Sequence, residues 1–306
     1  MGRSSDSPLQ RVRSVRTVRA DGTPVYRWEQ SAGMPPVQVV PLDPDCEGEH
    51  LPPDHRHAHD FWVLAYVARG GGAVGLDGET VELREGEVHA VAPGEVVAAE
   101  SLAELDHARA WSVAFTPDAI PSLASISPLT WAHHPLLALF AAEGRRAVVP
   151  VAERPRWEAW LAELTDELRH PDRLGARDAV TATLTNILVA TARLAPATPI
   201  APDPLVTRVF DEIERTYATK ASAGDIARSL GYTPGHLTTV IRQRTGRTLL
   251  DWLTERRLTE ARRLLRETDL PLSVISVRAG LGDPGYLVRR FKARYGITPD
   301  RWRRDG

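Results

Sequence analysis

A single cysteine, Cys46, stands in a chain of 306 residues. That excludes an intramolecular disulfide framework and any all-cysteine metal site. Lysine is nearly absent: Lys220 and Lys292 are the only two, and every other cationic side chain is arginine. No apolar run approaches the 18 or so residues of a membrane span; the stretch 61–68 is short. Residues 1–20 carry five arginines and no apolar stretch, so no secretory signal is read there. The expectation is a soluble cytoplasmic protein with no membrane partner.

The chain is 42% hydrophobic and 25% charged, enough to bury cores. At roughly 100–200 residues per domain its length suggests two or three domains. Charge is segregated. Residues 205–306 hold 20 basic and 12 acidic side chains, whereas residues 1–204 hold 18 and 28. A coding preference for arginine explains the scarcity of lysine but not this separation of sign. A basic half beside an acidic one points to a polyanionic partner.

Residues 1–25 read as a loose basic arm. From 26 to 118 the signals are short β-branched runs broken by turns. Asp77-Gly78 marks a hairpin, and Gly70, Gly86 and Pro93-Gly94 are further breaks. Strands spaced this closely suggest a small sandwich or barrel. Residues 128–142, 155–169 and 175–194 have helical composition, and Trp157, Trp160, Leu161, Leu164 and Leu168 form an amphipathic stripe. With Leu184, Ile187 and Leu188 this stripe is the expected dimerisation surface of a helical layer over 119–195; covering the barrel is the plainer alternative. Four prolines within 195–204 give an extended linker, assigned to 196–204.

Residues 205–306 read as helical and contain a repeat. Asp225-Ile226-Ala227 aligns with Val274-Ile275-Ser276, and Pro234-Gly235-His236-Leu237 with Pro284-Gly285-Tyr286-Leu287. Each copy is a helix, a glycine turn and a second helix. Ser222 with Asp225 resembles a capping box. Thr233-Pro234 and Asp283-Pro284 are cap-then-proline starts, and Ser273 is the expected cap of the second copy's first helix. Gly246 and Gly296 suit left-handed C-caps. Between the copies, 248–267 reads as one helix with Leu250, Leu253, Leu258, Ala261 and Leu265 inward. Its length of roughly 30 Å is close to the spacing of about 34 Å between successive major grooves.

The C-terminal hundred residues resemble the DNA-binding domain of AraC/XylS-type bacterial transcriptional regulators. The densest likeness is Ala279-Gly280-Leu281-Gly282-Asp283-Pro284-Gly285-Tyr286-Leu287, then Arg290-Phe291-Lys292 and Gly296-Ile297-Thr298-Pro299, with Leu281 and Leu287 where the family usually has phenylalanine. The resemblance implies base-facing residues near the start of each second helix: Gly235, Thr238, Thr239 and Arg242 in the first copy, and Gly285, Arg289, Arg290 and Lys292 in the second. Arg289 is the expected base reader, because guanidinium pairs bidentately with guanine; a solvated helix face is the plain alternative for any one arginine. Arg303 and Arg304 are expected phosphate contacts.

In the first half, His55, His57, His59 and Trp62 with the turns at Gly70–Gly72, Gly86 and Pro93-Gly94 resemble the AraC-type cupin barrel. His57 and His59 share a strand face. The glutamate and the third histidine of a metal-binding cupin are missing, with Val63, Leu64, Val96 and Val97 in those regions, so no metal and no cofactor is assigned. Glu47, Glu49 and Glu100 offer no grounds for choosing a further ligand. His55, His57, His59 and Trp62 are the effector-pocket candidates.

The resulting expectation is an α+β chain: an N-terminal cupin-like β-barrel with a helical layer, and a C-terminal all-α double helix-turn-helix domain. It is a sequence-specific regulator, not an enzyme, that binds double-stranded DNA through two adjacent major grooves. It responds to a small-molecule effector, forms a homodimer, and has RNA polymerase as a further candidate partner. The rivals are a cupin metalloenzyme with an accessory DNA-binding domain and a non-specific nucleoid protein.

Overall fold

The computed structural model describes residues 13–19, 21–28, 34–42, 55–99, 108–124, 126–195 and 203–305. Cys46, Glu47, Glu49, Glu100 and residues 196–202 of the expected linker 196–204 lie outside them, while Asp203 and Pro204 cap and begin a helix. The chain divides into two compact units, Met1–Ile120 with Ala132–Ile200, and Pro121–Trp131 with Ala201–Gly306.

The first unit is built on two sheets. One has the order β1 (Arg13–Val18), β2 (Pro24–Trp28), β4 (His55–His59), β9 (Val96–Ala99), β6 (Ala73–Leu76), β7 (Glu79–Glu82). The other runs β11 (Arg146–Val148), β8 (Glu87–Val91), β5 (Trp62–Arg69), β10 (Arg109–Phe115), β3 (Val37–Leu42). All pairings are antiparallel except β2 with β4. The hairpin read at Asp77-Gly78 joins β6 to β7; both residues take positive φ, 52° and 90°, the twist that a two-residue hairpin turn requires. The basic arm, by contrast, is not loose from residue 13 onward. Arg13–Val18 pairs with Pro24–Trp28 through a turn in which Asp21 accepts from the Thr23 amide at 3.0 Å. The β-branched residues Val15, Thr17 and Val18 suit a strand despite the arginines between them.

Side-chain alternation fixes what faces inward. Val63, Val91 and Ala114 meet Trp28 and Phe61, flanked by Tyr26, Leu76 and Val97, in a core between the sheets. Trp62 and Tyr66 therefore face the other way. Trp62 meets Phe140 edge-on at 4.7 Å, and Tyr66 stacks on Trp157 at 5.6 Å. Trp157 lies on α2 (Arg154–Arg169), which packs with α3 (Ala176–Leu194). Trp157, Leu161, Leu164, Leu184, Ile187 and Leu188 are all buried in the single chain. Most of the stripe expected to pair two subunits is thus core of one subunit, while Trp160 and Leu168 are half-buried. Residues 128–142 form 3₁₀ turns rather than one helix, because His134 is extended ahead of Pro135, whose ring removes a backbone donor.

The second unit comprises α1 (Pro121–Ala124), α4 (Pro204–Thr216), α5 (Ala223–Ser229), α6 (Pro234–Thr245), α7 (Leu249–Glu267), α8 (Leu272–Arg278), α9 (Pro284–Tyr295) and α10 (Pro299–Asp305). Residues 121–131, expected in the helical layer, belong here instead. Leu129 is buried with Val209 and Ile213 of α4, and Arg262 of α7 donates to the Ala124 carbonyl. Among the described residues no helix is long and apolar enough to cross a membrane.

Local caps set the helix starts. The Ser222 amide donates to Asp225 at 2.8 Å while the Asp225 amide donates to the Ser222 hydroxyl at 3.2 Å. Thr248 and Asp251 form a second such box on α7, at 3.1 Å in each direction. Asp283 caps α9 by accepting from the Tyr286 amide at 2.5 Å. Gly246 and Gly296 end α6 and α9 in the left-handed region, at φ 71° and 76°. Ser273 does not cap α8. That helix starts two residues earlier than such a cap implies, at Leu272 after Pro271, whose fixed φ of −59° sets up the first turn.

The apolar stripe of α7 begins one residue before the one expected. Leu249 is 0% exposed and Leu250 is 55% exposed. Leu249→Ala should destabilise the unit by about 2–5 kcal/mol, whereas Leu250→Ala should stay within about 0.5 kcal/mol, as read by urea denaturation. Equal effects would contradict this register.

The Ser222 hydroxyl and amide, with Arg228, hold the Asp225 carboxyl down at about 2 against an ordinary 3.8. A depressed folded-state value stabilises above the unfolded value and is lost as pH falls through the folded one. The stability gap between wild type and Asp225→Asn should therefore be full near neutrality. It should shrink as pH falls from about 4 toward about 2.

Candidate nucleic-acid interface

Two helix-turn-helix units stand in the second unit, α5 with α6 and α8 with α9. Leu237 and Ile241 of α6, and Leu287, Phe291 and Tyr295 of α9, are buried and anchor each second helix. The opposite faces are open. On α6 Gly235, His236, Thr239 and Arg242 are exposed and Thr238 is half-buried; on α9 Gly285, Arg289, Arg290 and Lys292 are exposed. All eight residues expected to face bases therefore lie on the solvent side of their helices.

Many arginines of the basic half are engaged within the protein. Arg244 pairs with Asp203, the cap of α4, at 2.6 Å. Arg256 pairs with Glu214 at 2.9 Å, and Arg263 bridges Glu260 and Glu267 at 2.7 and 2.5 Å. Arg303, expected at phosphate, instead donates to the Leu270 carbonyl at 2.6 Å and is half-buried. Arg304 remains exposed. Among the described residues, Arg289, Arg290 and Lys292 have no ion-pair partner, so α9 presents three uncompensated cations.

Gly285 has close neighbours, whereas a Cβ at Gly235 would meet open space. A Cβ at position 285 would lie 3.3 Å from the capping Asp283 carboxylate and 3.5 Å from an Arg289 guanidinium nitrogen. Gly285 thus leaves room for Arg289 to reach back toward the start of α9. On α6 the Thr239 hydroxyl donates to the Gly235 carbonyl at 3.0 Å, which leaves its methyl and its acceptor lone pairs for a partner. His236, exposed and stacked on Tyr232 at 5.9 Å, stands beside the residues expected to face bases and was not among them.

In the first unit His57 and His59 are buried on β4. The His57 ring lies 5.5 Å from Tyr26, and the His59 ring stacks on Phe61 at 4.6 Å, with Nδ1 2.7 Å from the Phe61 carbonyl oxygen. His55 lies on the same strand, its backbone opposite Ala99. Trp62 is not with them: alternation along β5 puts it on the helix-covered face, against Phe140. A buried pair on the facing sheet was missed, His89 Nε2 and Glu87 at 3.1 Å. Burial pushes the His89 imidazole below its ordinary value, against the pull of Glu87. Glu87-Val88-His89 has the same i, i+2 spacing as the histidine pair, which is the signal that could have revealed it. Among the described residues no three His, Cys, Asp or Glu side chains converge to hold a metal ion.

Comparison with known proteins agrees with both halves. A family described as a helix-turn-helix domain matches residues 226–305, and one described as an AraC-like ligand binding domain matches residues 46–185. The HTH-type transcriptional activator AarP of Providencia stuartii is 31% identical over 99 residues, 32% of this chain and 73% of AarP. The HTH-type transcriptional regulator GlxA of Rhizobium meliloti is 31% identical over 101 residues, 33% of this chain and 31% of GlxA. A solved structure, the C-terminal domain of the response regulator AraT from Geobacillus stearothermophilus, is 28% identical, with 34% of this chain and 87% of that one covered, at a TM-score of 0.33. The chain spans about a third of GlxA. With its second unit matched as helix-turn-helix and its first as AraC-like ligand-binding, this chain belongs to the AraC family of DNA-binding transcriptional regulators.

Proposed function

We propose that the chain is a one-component regulator that reads DNA with α6 and α9 in two adjacent major grooves, under control of a small molecule held between the sheets of the first unit. The observation that carries the DNA reading is the pair of open helix faces joined by α7. Its 19 residues span roughly 28 Å, near the groove repeat of about 34 Å. Arg289 reads a base. Arg290, Lys292 and Arg304 neutralise phosphates, the sequence-independent part of the affinity.

The effector reading is supported by polar side chains lining an otherwise apolar interior, His57 and His59 on one sheet and Glu87 and His89 on the other. A second copy of the chain is the proposed protein partner. Its contact surface is not the Trp157 face of α2, which is buried. The metalloenzyme reading finds no support in the family matches, which concern DNA binding and ligand binding.

The test is a binding titration against the tightest duplex selected by the chain from a random pool, and against a scrambled duplex. Arg289→Ala should cost about 1–3 kcal/mol on the selected duplex and relax preference at one base pair. Arg304→Ala should weaken both duplexes alike and lower the salt slope by roughly 0.9. Equal loss on both duplexes for Arg289→Ala would remove it as the base reader.

A further inference from the structure

The two apolar cores of the DNA-binding unit do not merge. The first takes Leu249, Trp252 and Leu253 from α7, and the second takes Leu258, Ala261, Leu264 and Leu265. Between them the helix presents Glu255, Arg256 and Arg257. Apolar contact is non-directional, so the rotation of one half against the other falls to the polar bonds made on this middle turn.

Glu255 lies at the centre of a buried triad. Arg294 of α9 donates to both of its carboxylate oxygens, at 2.9 and 3.0 Å. Arg247, the residue after the C-cap of α6, lies 3.6 Å away. The three side chains are 10% (Arg247), 8% (Glu255) and 15% (Arg294) exposed. One carboxylate therefore joins the far ends of both recognition helices. Arg257 lies two positions further along, roughly 200° around the helix axis. Its guanidinium donates to three carbonyls at the end of α4 and in the turn before α5: Tyr217 at 2.8 Å, Thr219 at 3.0 Å and Ala221 at 2.8 Å. Against the same place sits Gly280, in the turn between α8 and α9, at φ +75°. A Cβ there would collide with the Tyr217 carbonyl oxygen and lie 2.9 Å from Arg257 Nε. The two helix-turn-helix units are thus clamped from opposite sides of one turn of α7.

We propose that Glu255 and Arg257 are positioning residues that fix the separation and rotation of α6 relative to α9, so that discrimination between spacings of the two half-sites resides in them rather than in base-facing side chains. The inference rests on the reading that both helices enter DNA. A buried ion triad is a poor source of net stability compared with apolar packing, and its best-attested use is to fix register. A guanidinium fork spanning three acceptors fixes an orientation that the point charge of lysine does not.

The experiment uses the full chain and the duplex it selects from a random pool, together with the same duplex carrying one or two base pairs inserted between its halves. Each insertion rotates the second half-site by about 35°. The wild-type chain should lose about tenfold or more in affinity on the inserted duplexes. Glu255→Gln and Arg257→Lys should lower the ratio of selected to inserted affinity by about threefold or more, with binding to a duplex holding one half-site unchanged. A wild-type chain indifferent to insertion overturns the two-groove reading and the clamp with it. A sensitive wild type, with variants that lose affinity equally on every duplex, overturns the clamp alone. Arg257→Lys keeps its charge at a partly exposed site, so it decides the matter where Glu255→Gln does not fold.

Discussion

The DNA-binding half depends on one constraint: α7 belongs to two cores at once. Its first turns complete the cluster around Val209, Ile213 and Ile226, and its last turns complete the cluster around Ile275, Leu287 and Phe291. Each helix-turn-helix unit closes its core against it. Everything the two second helices present to solvent is carried by that helix, started by the Thr248–Asp251 box. With a flexible connection the proposed binding at two grooves would be a matter of effective concentration. A single packed helix makes it a matter of geometry.

The basic half is less cationic in effect than its composition suggests. Arg244, Arg256, Arg263 and Arg294 are held by carboxylates, and Arg257, Arg262 and Arg303 by backbone carbonyls. These side chains hold the scaffold together, and the cations left at the surface concentrate on α9. Guanidinium suits the first task because its planar fork satisfies several acceptors at once. The preference for arginine over lysine, whatever its origin in coding, is put to structural use here.

What the sequence disclosed was what is decided locally. The Ser222 box, the Gly246 and Gly296 caps and the Asp77-Gly78 hairpin each depend on residues within a few positions, and each stands where the residue types place it. What it concealed depends on distance along the chain. Arg303 meets Leu270 across 33 residues, and Glu255 meets Arg294 across 39. Leu129 joins a core built mostly from residues beyond 200. Trp62 was misplaced for another reason: its neighbours in sequence are pocket-facing, but a strand turns successive side chains to opposite faces, and only the pairing of β5 with β10 shows which face is which. In α7 two adjacent leucines leave the stripe ambiguous by one position in the sequence, and the packing of Trp252 and Leu253 beside Leu249 resolves it.

The most direct test of the account is methylation interference at guanine N7 on the duplex that the chain selects for itself. Guanine N7 lies in the major groove. Two helices held at the two ends of α7 on one face of the duplex predict two clusters of interference, with centres about 10–10.5 base pairs apart. One cluster alone, or two on opposite faces of the duplex, would contradict it.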